Sequence, residues 1–337
     1  MADMPWTSPS GIVMGWNQRI AVSYNGSAYY AKAKTFSVGT TQNYDVPKLV
    51  TGATDLITWS KGVIEFGGNI ETPLTGSLGQ DLIKAADKAV LGWNGAGARI
   101  SVASDIHGGA YECMVNQLTI TIREKEPINL SAQLIGRLGL NYHSSTDGEE
   151  ALVLSDAVGT VGGINPSGGS VGTLSPAPMA LEQIAMFDQA VIGPGMNPAG
   201  CEYLLPTSVT ITINNNLQRN YILGCASGRS SLDTWSISSA QREITAQATF
   251  ISGLNNALKY IQNAGVDIDD SGTALVAIYG DQAGSNALLD IDSNRFITLW
   301  GATPPTLGTE RMNVELKCTF LAKEPGLWSI VDGSALN

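Results

Sequence analysis

The chain has 337 residues, room for two domains of ordinary size, each with its own core. It carries 19 Lys and Arg against 30 Asp and Glu, a formal net charge of −11, and the basic residues are not clustered. That balance argues against a grip on nucleic acid through its phosphates. The 38 Gly, with abundant Ser, Thr, Asn and Val, favour strands and turns over helices.

Residues 1 to 15 begin MADMPWTSPSGIVM and read as an irregular arm. Order is expected from Trp16-Asn17-Gln18-Arg19-Ile20-Ala21-Val22, followed by a turn at Tyr24-Asn25-Gly26-Ser27. Lys34 to Thr41 alternates as a strand, and Leu49 to Gly52 and Leu56 to Trp59 are short strand candidates. VIEFGGNI places Ile64, Phe66, Gly68 and Ile70 on one face, and LGQDLIKAADK then places Leu78, Leu82 and Ala85 on one side of a helix. Within that strand, Gly67-Gly68 reads as an interruption, and Pro73 follows it. Ala98 to Ala103, Ala110 to Val115 and Gln117 to Arg123 read as three strands. Ile128 to Leu134 closes the first half, with Ile128, Leu130, Ala132 and Leu134 facing one way. Residues 141 to 180 are polar and acidic at first, then rich in Gly, Ser and Pro, the composition of a long connection.

The second half repeats these blocks in order. Phe187 to Ile192 echoes Trp16 to Ala21, and Pro206 to Ile213 echoes Lys34 to Thr41. Glu243 to Asn263 repeats the strand-helix unit: Ile244, Ala246, Ala248 and Phe250 alternate with polar residues, and Leu254, Leu258 and Ile261 share a helical face. Ala274 to Tyr279 echoes Arg99 to Ala103, Arg295 to Trp300 echoes Leu118 to Arg123, and Met312 to Phe320 echoes Ile128 to Leu134. The pattern predicts a mainly β chain of two tandem β-sandwich or barrel domains, residues 16–140 and 181–337, each with one flanking helix.

Reactive motifs do not assemble. Gly168-Gly169-Ser170-Val171-Gly172 matches G-x-S-x-G in letters, but it lies in the connection, and His107 and His143 both precede it. Asp267 to Gly272 opens like a calcium loop, yet its twelfth position is Ile278 rather than Glu. His107 reads as a loop residue, and Glu149 and Glu150 as a hydrated loop. Trp16, Trp300 and Phe296 read as core or interface. Cys113, Cys201, Cys225 and Cys318 form no C-x-x-C pair and read as free buried thiols of a reducing compartment. No catalytic, cofactor-binding or metal-ligating residue is assigned, and no enzyme is expected. With no secretory h-region, transit peptide or apolar run of about 18 residues, the chain is expected to be soluble and without an export signal.

Three strings carry a family resemblance: Ser208 to Leu217 (SVTITINNNL), Arg242 to Phe250 (REITAQATF) and Met312 to Leu321 (MNVELKCTFL). They resemble the tail tube proteins of tailed bacteriophages, best over about residues 186 to 325 and more weakly over residues 16 to 137. The resemblance implies a twisted β-sandwich or barrel with one flanking helix, whose inner strands join those of neighbouring subunits into a barrel lining a tube. It implies a virion protein of the tail, assembled in the host cytoplasm, with copies of itself and other tail proteins as partners and no membrane. DNA would pass as non-specific cargo through a polar, acidic bore. If single-domain relatives form rings of six, a chain with two such domains is expected to form a trimer with pseudo-sixfold symmetry. Ser208 to Asn214 and Arg242 to Phe250, with their copies Thr35 to Thr41 and Val63 to Ile70, are the candidate lumen wall. The alternatives are a distal tail, baseplate hub or capsid decoration protein, or a carbohydrate-binding adhesive β-sandwich.

Overall fold

The computed structural model describes residues 20–31, 33–45, 60–74, 76–104, 109–123, 126, 128–141, 190–196, 206–221, 234–251, 274–279, 287–292, 295–303, 313–324 and 329. These residues are mainly β, with one α-helix and a large antiparallel sheet. The first half contains β1 (Ile20–Tyr24), β2 (Ser27–Ala31), β3 (Thr35–Phe36), β4 (Gly39–Asp45) and β5 (Ser60–Pro73). After α1 (Gly76–Lys88) and a single 3-10 turn (Ala89–Leu91) come β6 (Ile100–Ser104), β7 (Gly109–Arg123) and β8 (Asn129–Asn141). The second half contains β9 (Ala190–Met196), β10 (Pro206–Asn214), β11 (Leu217–Asn220), β12 (Ser236–Ser239) and β13 (Glu243–Ile251). It ends with β14 (Ala274–Tyr279), β15 (Ala287–Asp292), β16 (Phe296–Thr303) and β17 (Asn313–Ala322).

Three expectations change. Lys34 to Thr41 is not one strand, since β3 ends at Phe36 and β4 begins at Gly39. Gly67-Gly68 does not interrupt its strand: β5 runs through both glycines to Pro73. Their φ angles are +151° and +149°, a region open to glycine. A Cβ at Gly67 would meet the Leu134 carbonyl oxygen, and one at Gly68 the Ser37 carbonyl oxygen, so bare backbone lets neighbouring strands close in. Ala110 to Val115 and Gln117 to Arg123 are one strand, β7, bent by register shifts at Glu112/Cys113 and Val115/Gln117. The second-half helix, the strand candidates at 49–52 and 56–59, the arm and the connection lie outside the described residues.

β7 organises the sheet. One of its edges pairs with β8 from Gly109 to Thr121. The other edge takes two partners in turn: β6 along Gly109 to Cys113, and β10 along Gln117 to Arg123. The β7–β10 ladder joins the two halves of the chain by backbone hydrogen bonds. Eight strands therefore run in one continuous antiparallel order, β4-β5-β8-β7-β10-β13-β17-β16. β1 and β2 extend from β6, and β15-β14-β9 form a separate three-stranded sheet.

Alternation assigns one face of the run to the core. Leu118 and Ile120 of β7, Leu130, Ala132 and Leu134 of β8, Val209, Ile211 and Ile213 of β10, and Ile244, Ala246 and Ala248 of β13 are all buried. α1 covers this face, packing on β5, β6 and β7. Leu78, Leu82, Ile83, Ala85 and Ala86 make it amphipathic and are buried. The cluster is continuous across both halves and also includes Leu289, Ile291, Phe296 and Phe320. Each fully buried aliphatic side chain contributes about 1.5–3 kcal/mol, so this shared face dominates the stability.

Candidate functional site: the polar face of the long sheet

The opposite face of the same strands is polar by the same alternation. β10 presents Ser208, Thr210, Thr212 and Asn214, and β13 presents Glu243, Thr245, Gln247 and Thr249. Register sets these residues in rows. Thr212 lies opposite Thr119 on one side and Thr245 on the other, and Thr245 lies opposite Thr319. Thr119 lies opposite Ser131, and Ser131 opposite Glu71. A second row runs Asn129, Thr121, Thr210, Gln247, Lys317. Threonine suits both demands of these positions, since its β-branch favours the strand and its hydroxyl keeps the surface hydrated.

Several charges at this face are tied to neighbours. Glu71 accepts hydrogen bonds from Asn129 Nδ2 at 2.7 Å and Thr35 Oγ1 at 3.0 Å. The Asn129 bond, then the Thr35 bond, hold its carboxyl below the ordinary glutamate value. Lys34 Nζ donates to Asn129 Oδ1 at 2.8 Å, and Gln247 Nε2 donates to Glu315 Oε2 at 3.4 Å. This carpet of hydroxyls and amides offers shallow, replaceable hydrogen bonds and no concentrated positive charge.

The halves are locked together on the core side of the sheet, at the end of α1. The Arg242 guanidinium, just before β13, donates to the Ala86 and Asp87 carbonyl oxygens at the end of α1, the latter at 2.8 Å. It also lies 3.6 Å from the fully buried Asp87 carboxylate. Burial draws the Arg242 pKa down to about 10 against the pull of Asp87. Asn215 Nδ2 donates to the Ala86 and Val115 carbonyl oxygens at 3.0 and 2.9 Å, and its Oδ1 accepts from Arg242 Nε at 2.8 Å. An acidic residue at a helix C-terminus opposes the helix dipole, and the second half supplies the cation and the caps that compensate. Ser329 Oγ also donates to Asp87, at 3.1 Å.

The β11–β12 hairpin lies over the first half. Leu217 and Ile237 are buried with Ala89, Trp93, Ala98 and Met114. Trp93 N–H donates to the Ile237 carbonyl at 3.1 Å, and Ser239 Oγ donates to the Val90 carbonyl at 2.7 Å. Arg219 Nη2 donates to the Phe66 carbonyl at 2.7 Å, beside the bare Gly67. Nearby, Arg99 and Arg137 approach the Trp93 ring at 5.7 and 5.4 Å, and Arg99 pairs with Glu112 at 3.1 Å. Burial pushes the Glu112 carboxyl up, with both arginines pulling it back.

The four candidate lumen-wall segments fall on β10, β13, β3–β4 and β5, strands of the continuous run or paired to it. Phe296 is buried in the core. Cys113 is free and buried, its thiol pushed up by burial and therefore unreactive. Trp16, Ser170, His107, His143, Glu149, Glu150 and the loop at 267–272 lie outside the described residues, as do the side chains of Trp300 and Cys318. Among the described residues no group of three or more His, Cys, Asp or Glu is placed to hold a metal ion. No described helix is long and apolar enough to cross a membrane. The Arg242–Asn215–Asp87 lock is not legible in the sequence; its one signal is an Arg just before an alternating strand whose own single charge is Glu243.

The chain matches no protein-family model and no curated protein among those compared.

Proposed function

We propose that this chain is a structural virion protein of the phage tail-tube type, whose copies form stacked rings around a polar conduit for DNA. The observation that carries the reading is a repeated order of ladders. In the first half the antiparallel order is β4-β5-β8-β7-β6-β1. In the second half β10-β13-β17-β16 repeats its first four members, and β15-β14-β9 repeats the remainder. β15 and β16 together correspond to the single long β7. Five ladders thus recur in sequence order, which supports two copies of one tail-tube-like module.

The eight-strand run also has the character a conduit wall needs. One face is sealed by the core, and the other carries rows of Thr, Ser, Asn and Gln along β7, β8, β10 and β13. Phosphate repulsion from a protein of net charge −11 would keep DNA from adhering, and no base contact is required. Three copies would close a barrel of about 24 strands, roughly 45–50 Å across its backbone at ordinary spacing and tilt. That is wider than a DNA duplex after side chains are added.

Negative-stain electron microscopy of the purified chain, alone and with tail components, tests the reading. Threefold rings that stack into tubes are expected. Single unstacked rings would favour a baseplate hub or distal tail ring, and a persistent monomer at high concentration would remove the reading.

A further inference from the structure

We propose that Asn94 is a self-modifying position: its side-chain amide is lost as ammonia after attack by the Gly95 backbone nitrogen, whereas the chain's other Asn-Gly step, Asn25-Gly26, is shielded by its turn. The sequence holds these two Asn-Gly steps and no more. Asparagine before glycine is chemically vulnerable because no side chain on the next residue obstructs that residue's nitrogen, and glycine turns most freely. The reaction consumes only water, so it proceeds in the free chain and needs no partner.

The fold treats the two steps differently. Asn25-Gly26 is the two-residue turn between β1 and β2, with φ of +47° and +82° and Tyr24 paired to Ser27 beneath it. Positive φ at both positions is the form that suits a tight turn between paired strands. Those strands are held by pairs from Ile20–Ala31 to Tyr24–Ser27. The Asn25 amide is tied as well: it donates to the Tyr24 hydroxyl, which itself donates to the Gly97 carbonyl at 3.0 Å. Attack at Asn25 would require the turn to rotate against its own ladder.

Asn94 lies in the segment 92–97, between the 3-10 turn and β6, and no residue of that segment is in a strand. Gly92 and Gly97 take φ of +72° and +73°. Trp93 and Ala98 are buried, whereas Asn94 and Ala96 are exposed, so the segment is anchored at its ends and wet in the middle. Among the described residues no hydrogen bond engages the Asn94 side chain. The Gly95 N–H donates to the Gly92 carbonyl at 3.0 Å, a single turn bond whose local opening frees the nitrogen. Packing also fixes the vulnerable neighbour. A Cβ on Gly95 would collide with the Leu91 Cβ, so a shielding side chain has no room there.

The chemistry balances without a cofactor. The Gly95 amide loses its proton to hydroxide, and its nitrogen bonds to Asn94 Cγ. The Cγ–Nδ2 bond breaks, and ammonia leaves with a proton from solvent. Nucleophile and carbonyl sit on adjacent residues, so the step is intramolecular. Water then opens the cyclic imide at either carbonyl. The product at position 94 is an aspartate, or an isoaspartate whose main chain is longer by one carbon. Either adds a negative charge beside Trp93, whose N–H donates to the Ile237 carbonyl at 3.1 Å and whose ring lies 5.7 Å from the Arg99 guanidinium. The change therefore falls where the β11–β12 hairpin is seated.

Peptide mass mapping of the purified chain, aged in mildly alkaline buffer with and without denaturant, tests this. Each Asn-Gly step then has its own unfolded reference rate. The ratio of native to denatured rate is expected to be several-fold higher at Asn94 than at Asn25. The native gain in mass should speed up with pH, and an isoaspartyl methyltransferase should label the same peptide. Asn94→Gln, at an exposed position, should abolish the gain, because the larger ring closes far more slowly. An equal or lower ratio at Asn94, or no conversion of Asn94 in the native chain, overturns the proposal.

Discussion

Arg242 illustrates how one side chain couples distant parts of the sequence. It sits 156 positions from the Ala86 carbonyl it binds and neutralises a carboxylate with no solvent exposure. Removing the Arg242 cation leaves the buried Asp87 carboxylate with Lys88 Nζ at 3.7 Å and the Ser329 hydroxyl to offset it, where breaking a buried pair typically costs about 3–5 kcal/mol. Arg242→Met should therefore lower the unfolding free energy by about that amount, and adding Asp87→Leu should recover part of it, as measured by denaturant unfolding of the single and double variants. Equal losses in both would show that the capping bonds to Ala86 and Asp87, rather than the charge pair, carry the effect. Asp81 behaves differently. It accepts a 2.6 Å hydrogen bond from Tyr29 Oη, yet burial raises its carboxyl above the ordinary value, outweighing the Tyr29 bond and Lys84. The native chain thus keeps this proton to higher pH than the unfolded chain does. The stability linked to Asp81 is full below the ordinary aspartate value of about 3.9 and declines as pH rises through the native value. Asp81→Asn should flatten that limb of the stability–pH curve while retaining an acceptor for Tyr29; an unchanged limb would clear Asp81 of the effect.

At the scale of elements, β5 shows what sequence reading sees and what it misses. The alternation Phe66, Ile70 and the helical spacing Leu78, Leu82, Ala85 were legible, because burial on one face imposes a period directly on the sequence. All five side chains are buried. Gly67-Gly68 looked like a break because glycine weakens a strand in isolation. What the sequence could not display is that the Leu134 and Ser37 carbonyls approach so closely there that a side chain has no room. Gly67→Ala should cost about 1–3 kcal/mol through the disfavoured φ and the forced approach, and it should weaken the seating of Arg219 on the Phe66 carbonyl. Thermal unfolding would measure the first effect; a neutral substitution would mean the strand can reroute. Likewise β7 read as two strands because its bulges shift the inward set, a shift fixed by β8 and invisible in β7 alone. The polar face was legible as alternating Thr, Ser, Asn and Gln, but its rows were not, since rows depend on register between strands as far apart in the chain as Gln117 and Asn214.

At the scale of the whole molecule, the ordered blocks matched by pattern are the strands that occupy corresponding places in the two ladder orders. Pattern alone separated the halves, whereas the structure runs one sheet and one core through both. Nothing in either half's own alternation announces that β7 and β10 meet, because a strand's sequence records which face is wet and not who lies at its edge. The lock at the end of α1 has a temporal corollary. Asp87 leaves the ribosome some 155 positions before Arg242 does, a wait of about 8–30 s at ordinary elongation rates. Throughout that interval the nascent first half holds a helix end without Arg242, and until β10 is made it also holds a β7 edge without its neighbour. The N-terminal portion is then a dependent of segments made later, which complete it only once they emerge.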